Sequence, residues 1–293
     1  MPSDLRPLSL GELLDRTFFL YRKHFLLFVG ILALPHLVVL AFQLTGVALQ
    51  PGVGSLTTTS LLWTVATWIV VVGVAAASQG ATVIAVSHVH LERPASIKES
   101  FTGMKGRVLY LALILIGCWI LIGLAFGVPL LIGIGVGGVW IAIFVIPGIV
   151  LALMLAMAWA LTVPIAVLED TGFFDSLSRS AELTKGFRGR VFVVYFLFLL
   201  LFYAVIMAWE IPILAVLGTA MRSHQQNVTA MMLWTRVALP VCSFLTIGLV
   251  GPLMTIGLSL LYYDLRVRKE AFDLQHMMAT LDNTPGTAVS APV

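Results

Sequence analysis

Charge is what this sequence has least of. Of 293 residues, 17 are Lys or Arg and 14 are Asp or Glu, so 11% carry a formal charge, against about 25% in a soluble domain. That excludes an ordinary soluble globule, a disordered chain and a coiled coil. Cysteine is scarce as well. Cys118 and Cys242 each sit inside a long apolar run, which reads as two small buried hydrophobes rather than a disulfide framework. Acid is nearly missing from the apolar stretches, where Glu210 stands alone among the 14 acidic residues. An intramembrane hydrolase or proton-coupled pump places several polar groups in its spans. No catalytic residue, metal ligand or cofactor is therefore assigned, and an enzyme is not expected. His88 and His90 are two residues apart, about 200° around a helix, too far round to share a metal easily. A net charge of +3 leaves basic character to be read by position, and no nucleic-acid partner is expected.

What is present is apolar: 60% of the chain. A helical span takes about 20 such residues, and six spans are read, over 25–47, 63–89, 108–127, 145–168, 191–217 and 234–262. Residues 128–144 are equally apolar and read either as a re-entrant turn or as an extension of the third or fourth span. Gly133-Ile134-Gly135-Val136-Gly137-Gly138 formally matches a dinucleotide-binding pattern, but between two spans it reads as a glycine-rich turn. Gly123 and Gly127 are spaced for close helix approach. The fold class is thus all-α: a polytopic integral membrane protein with six transmembrane helices. Residues 1–24 carry seven charged residues, too many for the short n-region of a signal peptide, so the first span is expected to be retained.

Position of Lys and Arg sets orientation. Arg6, Arg16, Arg22 and Lys23 precede the first span. Arg93, Lys98, Lys105 and Arg107 lie between the second and third. Arg179, Lys185, Arg188 and Arg190 lie between the fourth and fifth, and Arg266, Arg268 and Lys269 follow the sixth. Fifteen of the 17 therefore share one side, with Arg222 and Arg236 opposite, and both termini are expected to be cytoplasmic. Clustered cations at that surface attract anionic headgroups at about 1 kcal/mol each. The candidate lipid contacts are Arg16, Arg22, Lys23, Lys105, Arg107, Lys185, Arg188, Arg190, Arg266, Arg268 and Lys269. Glu210 and Arg236 lie 13 residues either side of position 223, the expected centre of the last outer loop, and are a candidate ion pair. Asn227-Val228-Thr229 is a glycosylation sequon in that loop.

The charged segments before the odd spans resemble one another. Ser9-Leu10-Gly11-Glu12 and Ser96-Ile97-Lys98-Glu99 are capping boxes, and Gly172-Phe173-Phe174-Asp175 is a weaker version. Each carries an apolar stripe at helical spacing: Leu10, Leu13, Leu14, Phe18, Tyr21 and Phe25; Ile97, Phe101, Met104 and Val108; Phe174, Leu177, Ala181 and Thr184. Such helices suit the headgroup region. The chain reads as one membrane domain, 1–282, built from three elbow–span–span repeats at about 9–95, 96–171 and 172–270. A further interfacial helix is expected over about 265–282, then a disordered tail, 283–293. Prolines 35, 147, 164, 212, 240 and 252 lie within or at the ends of spans, where each can kink a helix.

Three stretches carry a resemblance. They are Pro7–Phe18 (PLSLGELLDRTF); the run from Pro147-Gly148 through Pro164 and Glu169 to Ser180, Leu183, Thr184 and Gly186; and Leu261–Glu270 (LYYDLRVRKE) with Phe272 and Asp273. Together they resemble the membrane domain attached to some bacterial glycerophosphoryl diester phosphodiesterases, and its free-standing relatives. Ser176 and Ala181 depart from that pattern, which has Ala and an aromatic there. The resemblance implies a protein of the bacterial cytoplasmic membrane. It does not carry the phosphodiesterase activity, which in fused relatives belongs to a separate barrel. The expected function is a non-catalytic membrane module that contacts membrane lipids or holds a partner protein. The alternative is a transporter or permease-like subunit for a lipid-derived or amphipathic solute. Orientation is directly checkable: Ser55→Cys and Gln225→Cys label with an impermeant thiol reagent in intact cells, whereas Lys98→Cys and Lys185→Cys do not; the opposite pattern inverts the topology.

Overall fold

The computed structural model describes residues 7–49, 57–138, 140–222 and 228–270. They form ten helices and no strand. In chain order these are α1 (Leu10–Lys23), α2 (Phe25–Leu49), α3 (Thr58–His90), α4 (Ile97–Gly103), α5 (Val108–Val136), α6 (Trp140–Ala158), α7 (Thr162–Leu168), α8 (Phe173–Thr184), α9 (Arg188–Arg222) and α10 (Val228–Glu270). Six stretches are long and apolar enough to cross a membrane, with mean hydropathy between 2.0 and 2.8. The chain is an all-α, multi-pass membrane protein.

Helices α2, α3 and α10 pack on one another and form the middle of the bundle. The α5–α6 hairpin leans on α3, and α9 leans on α10. Enclosure follows this order: 44% of the most apolar window of α3 is buried, against 11% for the α6–α7 span. Lipid tails are as apolar as leucine, so close packing across small residues must hold such helices together. A β-carbon on Gly251 of α10 would stand 2.6 Å from Leu32 of α2, and one on Gly148 of α6 would stand 2.9 Å from the Pro129 ring of α5. Gly123 and Gly127, spaced for such an approach, face no atom within 4 Å.

The short helices start where the sequence places them. Ser9 caps α1: its hydroxyl accepts from the Glu12 N–H, and the Glu12 carboxylate accepts from the Ser9 N–H at 2.7 Å. Ser96 caps α4 through the Glu99 N–H, but its hydroxyl also donates to the Glu99 carboxylate at 2.9 Å. Gly172 precedes α8 with no side-chain cap. The buried faces differ from the expected stripes. In α1 the core side is Leu13, Thr17 and Leu20, while Phe18 is 40% exposed. In α8 it is Ser176, Leu177, Ser180, Leu183 and Thr184, while Phe174 is 78% exposed. The hydroxyls turn inward because they have backbone partners there.

Those partners lie at a break in the fourth span, expected as one helix over 145–168. It divides into α6 and α7, with residues 159–161 in a turn. Pro164 has no N–H to continue the ladder. Across the gap, Ser180 donates to the Ala158 carbonyl at 2.8 Å and accepts from the Leu161 N–H at 3.2 Å, and Thr184 donates to the same Ala158 carbonyl. In an apolar surrounding every backbone group needs a partner, and α8 supplies them.

The expected interfacial helix over 265–282 is not separate where it is described: residues 265–270 continue α10 without a break, and the rest, with the tail 283–293, lie outside the described residues. The apolar stretch 128–144 extends both neighbouring spans and turns between them. Gly137 and Gly138 make that turn at φ of 77° and 59°, conformations that favour glycine. Gly137→Ala is therefore expected to cost about 1–2 kcal/mol in reversible unfolding from mixed micelles. Gly135→Ala, inside α5 with open space around it, is expected to be neutral or slightly stabilising.

Candidate functional site

At 43 residues, α10 is about 65 Å long at 1.5 Å per residue, roughly twice the hydrocarbon thickness. Its last turns meet α1, α8 and the start of α9, so the charged segments gather at one end of the bundle, the basic end. A network of charges there is the main polar feature of the fold.

Its centre is Asp264, 3% exposed. The carboxylate accepts from the Leu8 N–H at 2.7 Å and from Arg268 Nε at 3.0 Å, and Arg190 Nε lies 3.1 Å from it as an ion pair. Arg190 and Arg268 each donate again, at 2.6 Å, to the Leu8 carbonyl. Three separate parts of the chain close on one carboxylate and the backbone of one residue, Leu8: the lead-in to α1, the start of α9 and the end of α10.

A second group adjoins it. Glu169, which caps α7, accepts from Arg179 Nε at 3.1 Å and from the Tyr262 hydroxyl at 2.9 Å. Arg266 donates to that hydroxyl at 3.1 Å and to Glu270 at 3.0 Å, and Arg179 also pairs with Glu270. Burial works against the Arg179 charge, but the hydrogen bond and charge of Glu169, with the charge of Glu270, raise its pKa above the ordinary value. Lys269 donates to the Glu182 carbonyl of α8. Apart from this network, Arg107 pairs with Asp170 at 2.9 Å, and Asp170 holds a left-handed backbone at φ 53°.

Beside the network lies a cavity of about 860 Å³ between α1 and the end of α3. Its walls include Asp15, Arg16 and Lys23 of α1, and His90, Glu92 and Arg93 opposite. His90 is 6% exposed, stacks 4.9 Å from the Tyr263 ring, and its buried Nδ1 has no hydrogen-bond partner. An orphaned buried polar atom of this kind costs about 1–3 kcal/mol. A smaller apolar cavity of about 240 Å³ lies between α9 and α10 near the other end, lined by Ile213, Leu217 and Trp234 among others. Among the described residues no three His, Cys, Asp or Glu side chains come together as metal ligands.

The eleven candidate lipid contacts divide in two. Arg107, Arg190, Arg266 and Arg268 hold carboxylates, and Lys269 holds a carbonyl. Arg16, Arg22, Lys23, Lys105, Lys185 and Arg188 form no ion pair among the described residues. The expected Glu210–Arg236 pair is not one of the ion pairs among the described residues. Glu210 lies 12 residues before the end of α9 at Arg222, and Arg236 lies 8 residues after the start of α10 at Val228, a difference of about 6 Å along the helices. The sequon at Asn227 lies outside the described residues. Asp264 was hidden from the sequence reading because hydropathy ends the sixth span at 262; its spacing of four to Arg268 was the available signal.

Compared with protein-family models, curated proteins and solved structures, the chain matches none. The network can be tested by itself. A buried ion pair adds little net stability, but removing one partner leaves an uncompensated charge. Asp264→Ala is expected to cost about 3–5 kcal/mol in micelle unfolding. Arg268→Ala added to it should cost much less than it does in the wild-type background; additive losses would show that the two residues act separately.

Proposed function

We propose that this chain is a non-catalytic module of the bacterial cytoplasmic membrane, with both termini inside, and that it works by contacting lipid headgroups at its basic end. It is read as a relative of the phosphodiesterase-linked membrane domain that its sequence resembles, with three elbow–span–span repeats led by α1, α4 and α8. The observation that carries this reading is the division among the cations. The arginines of the network tie helices together, while Arg22, Lys105 and Lys185 stand exposed beside the spans with no ion pair among the described residues. Cations in that position gain from anionic lipid at about 1 kcal/mol each.

The buried acids support the same reading. Asp264, Glu169 and Glu270 are each held by arginines from other parts of the chain, a structural use of charge. The transporter alternative gains no support from the larger cavity, whose lining comes from residues 8–24 and 89–95 at the basic end.

Native mass spectrometry of the protein released from nanodiscs of mixed phosphatidylglycerol and phosphatidylethanolamine tests the reading. Wild type should retain phosphatidylglycerol on its surface. Each of Arg22→Gln, Lys105→Gln and Lys185→Gln should weaken that retention about fivefold at low salt. Retention unchanged in the triple variant would reject the lipid reading.

A further inference from the structure

We propose that the cavity between α1 and the end of α3 is a binding site for a zwitterionic headgroup, one carrying a phosphate and an ammonium together. This rests on the lipid-contacting reading and gives it a specific site.

The charge pattern of the walls carries the inference. Helix α1 turns Leu13, Thr17 and Leu20 into the core and presents Glu12, Asp15, Arg16 and Lys23 to the cavity. Facing them are Glu92 and Arg93. Arg16, Lys23 and Arg93 thus share one space with Asp15 and Glu92, while the Glu12 carboxylate is taken by its capping box. Asp15, Arg16, Lys23, Glu92 and Arg93 nevertheless form no ion pair with one another: opposite charges share the cavity but are held apart. A simple anion would meet the Asp15 and Glu92 carboxylates there, and a simple cation would meet three basic groups. A ligand with both charges can satisfy both sets at once, by charge-assisted hydrogen bonds to its phosphate and to its ammonium.

Three further features fit such a ligand. The cavity, about 860 Å³, falls within the usual range for small-molecule sites, about 300–1,000 Å³. Its polar wall is fixed. Glu92 is held at φ 56°, and the next residue, Arg93, donates its N–H to the His88 carbonyl at 2.8 Å; a non-glycine residue kept in that region persists only where its surroundings impose it. Finally, His90, 6% exposed and with an unpartnered Nδ1, lines the same wall. Phe19, 61% exposed and 5.8 Å beneath the Lys23 ammonium, gives the cavity an apolar edge next to the charge. The same chemistry could arrive as a membrane lipid or as a soluble zwitterion.

The test uses the full chain in nanodiscs of equal phosphatidylethanolamine and phosphatidylglycerol, followed by native mass spectrometry. One phosphatidylethanolamine should remain per chain, preferred over phosphatidylglycerol by about fivefold. Both Arg16→Gln and Glu92→Gln should abolish that preference, and Lys98→Gln on α4 should not. Thermal unfolding in micelles verifies that each variant is folded, and Arg16→Lys should retain the lipid. In a second arm, O-phosphoethanolamine is titrated onto delipidated protein. Binding there with no retained lipid supports the zwitterion site and assigns it a soluble ligand. A preference for phosphatidylglycerol, or loss in Arg16→Gln but not in Glu92→Gln, would overturn the proposal as a plain anion site. Absence of both ligands, with phosphatidylglycerol still held by Arg22, Lys105 and Lys185, would overturn the cavity site and leave the general lipid reading standing. Absence of any retained lipid would end both.

Discussion

One buried carboxylate organises the basic end of this protein. Asp264 is 3% exposed, and it is held by a peptide N–H and two guanidinium groups from separate parts of the chain. Taking a charge out of water costs several kcal/mol unless its partners are well placed. Here the partners come from the residue leading into α1, the first turn of α9 and the last turns of α10. The cost of leaving Asp264 alone is therefore also the force that fixes α1 against the bundle. With α1 fixed, one wall of the large cavity is fixed, and Leu8, whose N–H and carbonyl are both engaged, lies at its edge.

The same logic explains the middle of the chain. Pro164 breaks the fourth span and exposes backbone groups where water is scarce. Ser180 and Thr184 answer them, so α8 is anchored by hydroxyls and its Phe174 faces outward. Glu169 follows at the end of α7 and passes the connection on to Arg179, Tyr262 and Arg266. Two polar clusters, each built around carboxylates, thereby join the lead-in to α1, and α8, to the last span. Helix α6 leaves most of its apolar surface to its surroundings.

Much of this was legible in the sequence. The six spans, the gathering of cations on one side and the Ser9 and Ser96 caps follow from hydropathy, charge position and capping chemistry, all of which act over a few residues. What the sequence did not disclose depends on contacts across hundreds of residues. Arg190 and Arg268 look like any basic flank of a span, and only the fold shows that Leu8 and Asp264 occupy them. The inward face of α8 shares Leu177 and Thr184 with the expected stripe but adds Ser180, because serine counts as polar in a stripe although the broken helix beside it makes it an interior residue. The Glu210–Arg236 pairing depends on where the last turn is centred, since depth along a helix accumulates about 1.5 Å per residue.

The central claim is that α1 is held in place by Asp264 rather than by its own helical propensity or by lipid. Hydrogen–deuterium exchange of the protein in nanodiscs, read over residues 8–16, measures this directly. The account predicts slow exchange in wild type, and fast exchange over that segment alone in Asp264→Asn, with the middle of α3 unaffected. Fast exchange of α1 in the wild-type protein, or protection that survives in Asp264→Asn, would contradict it.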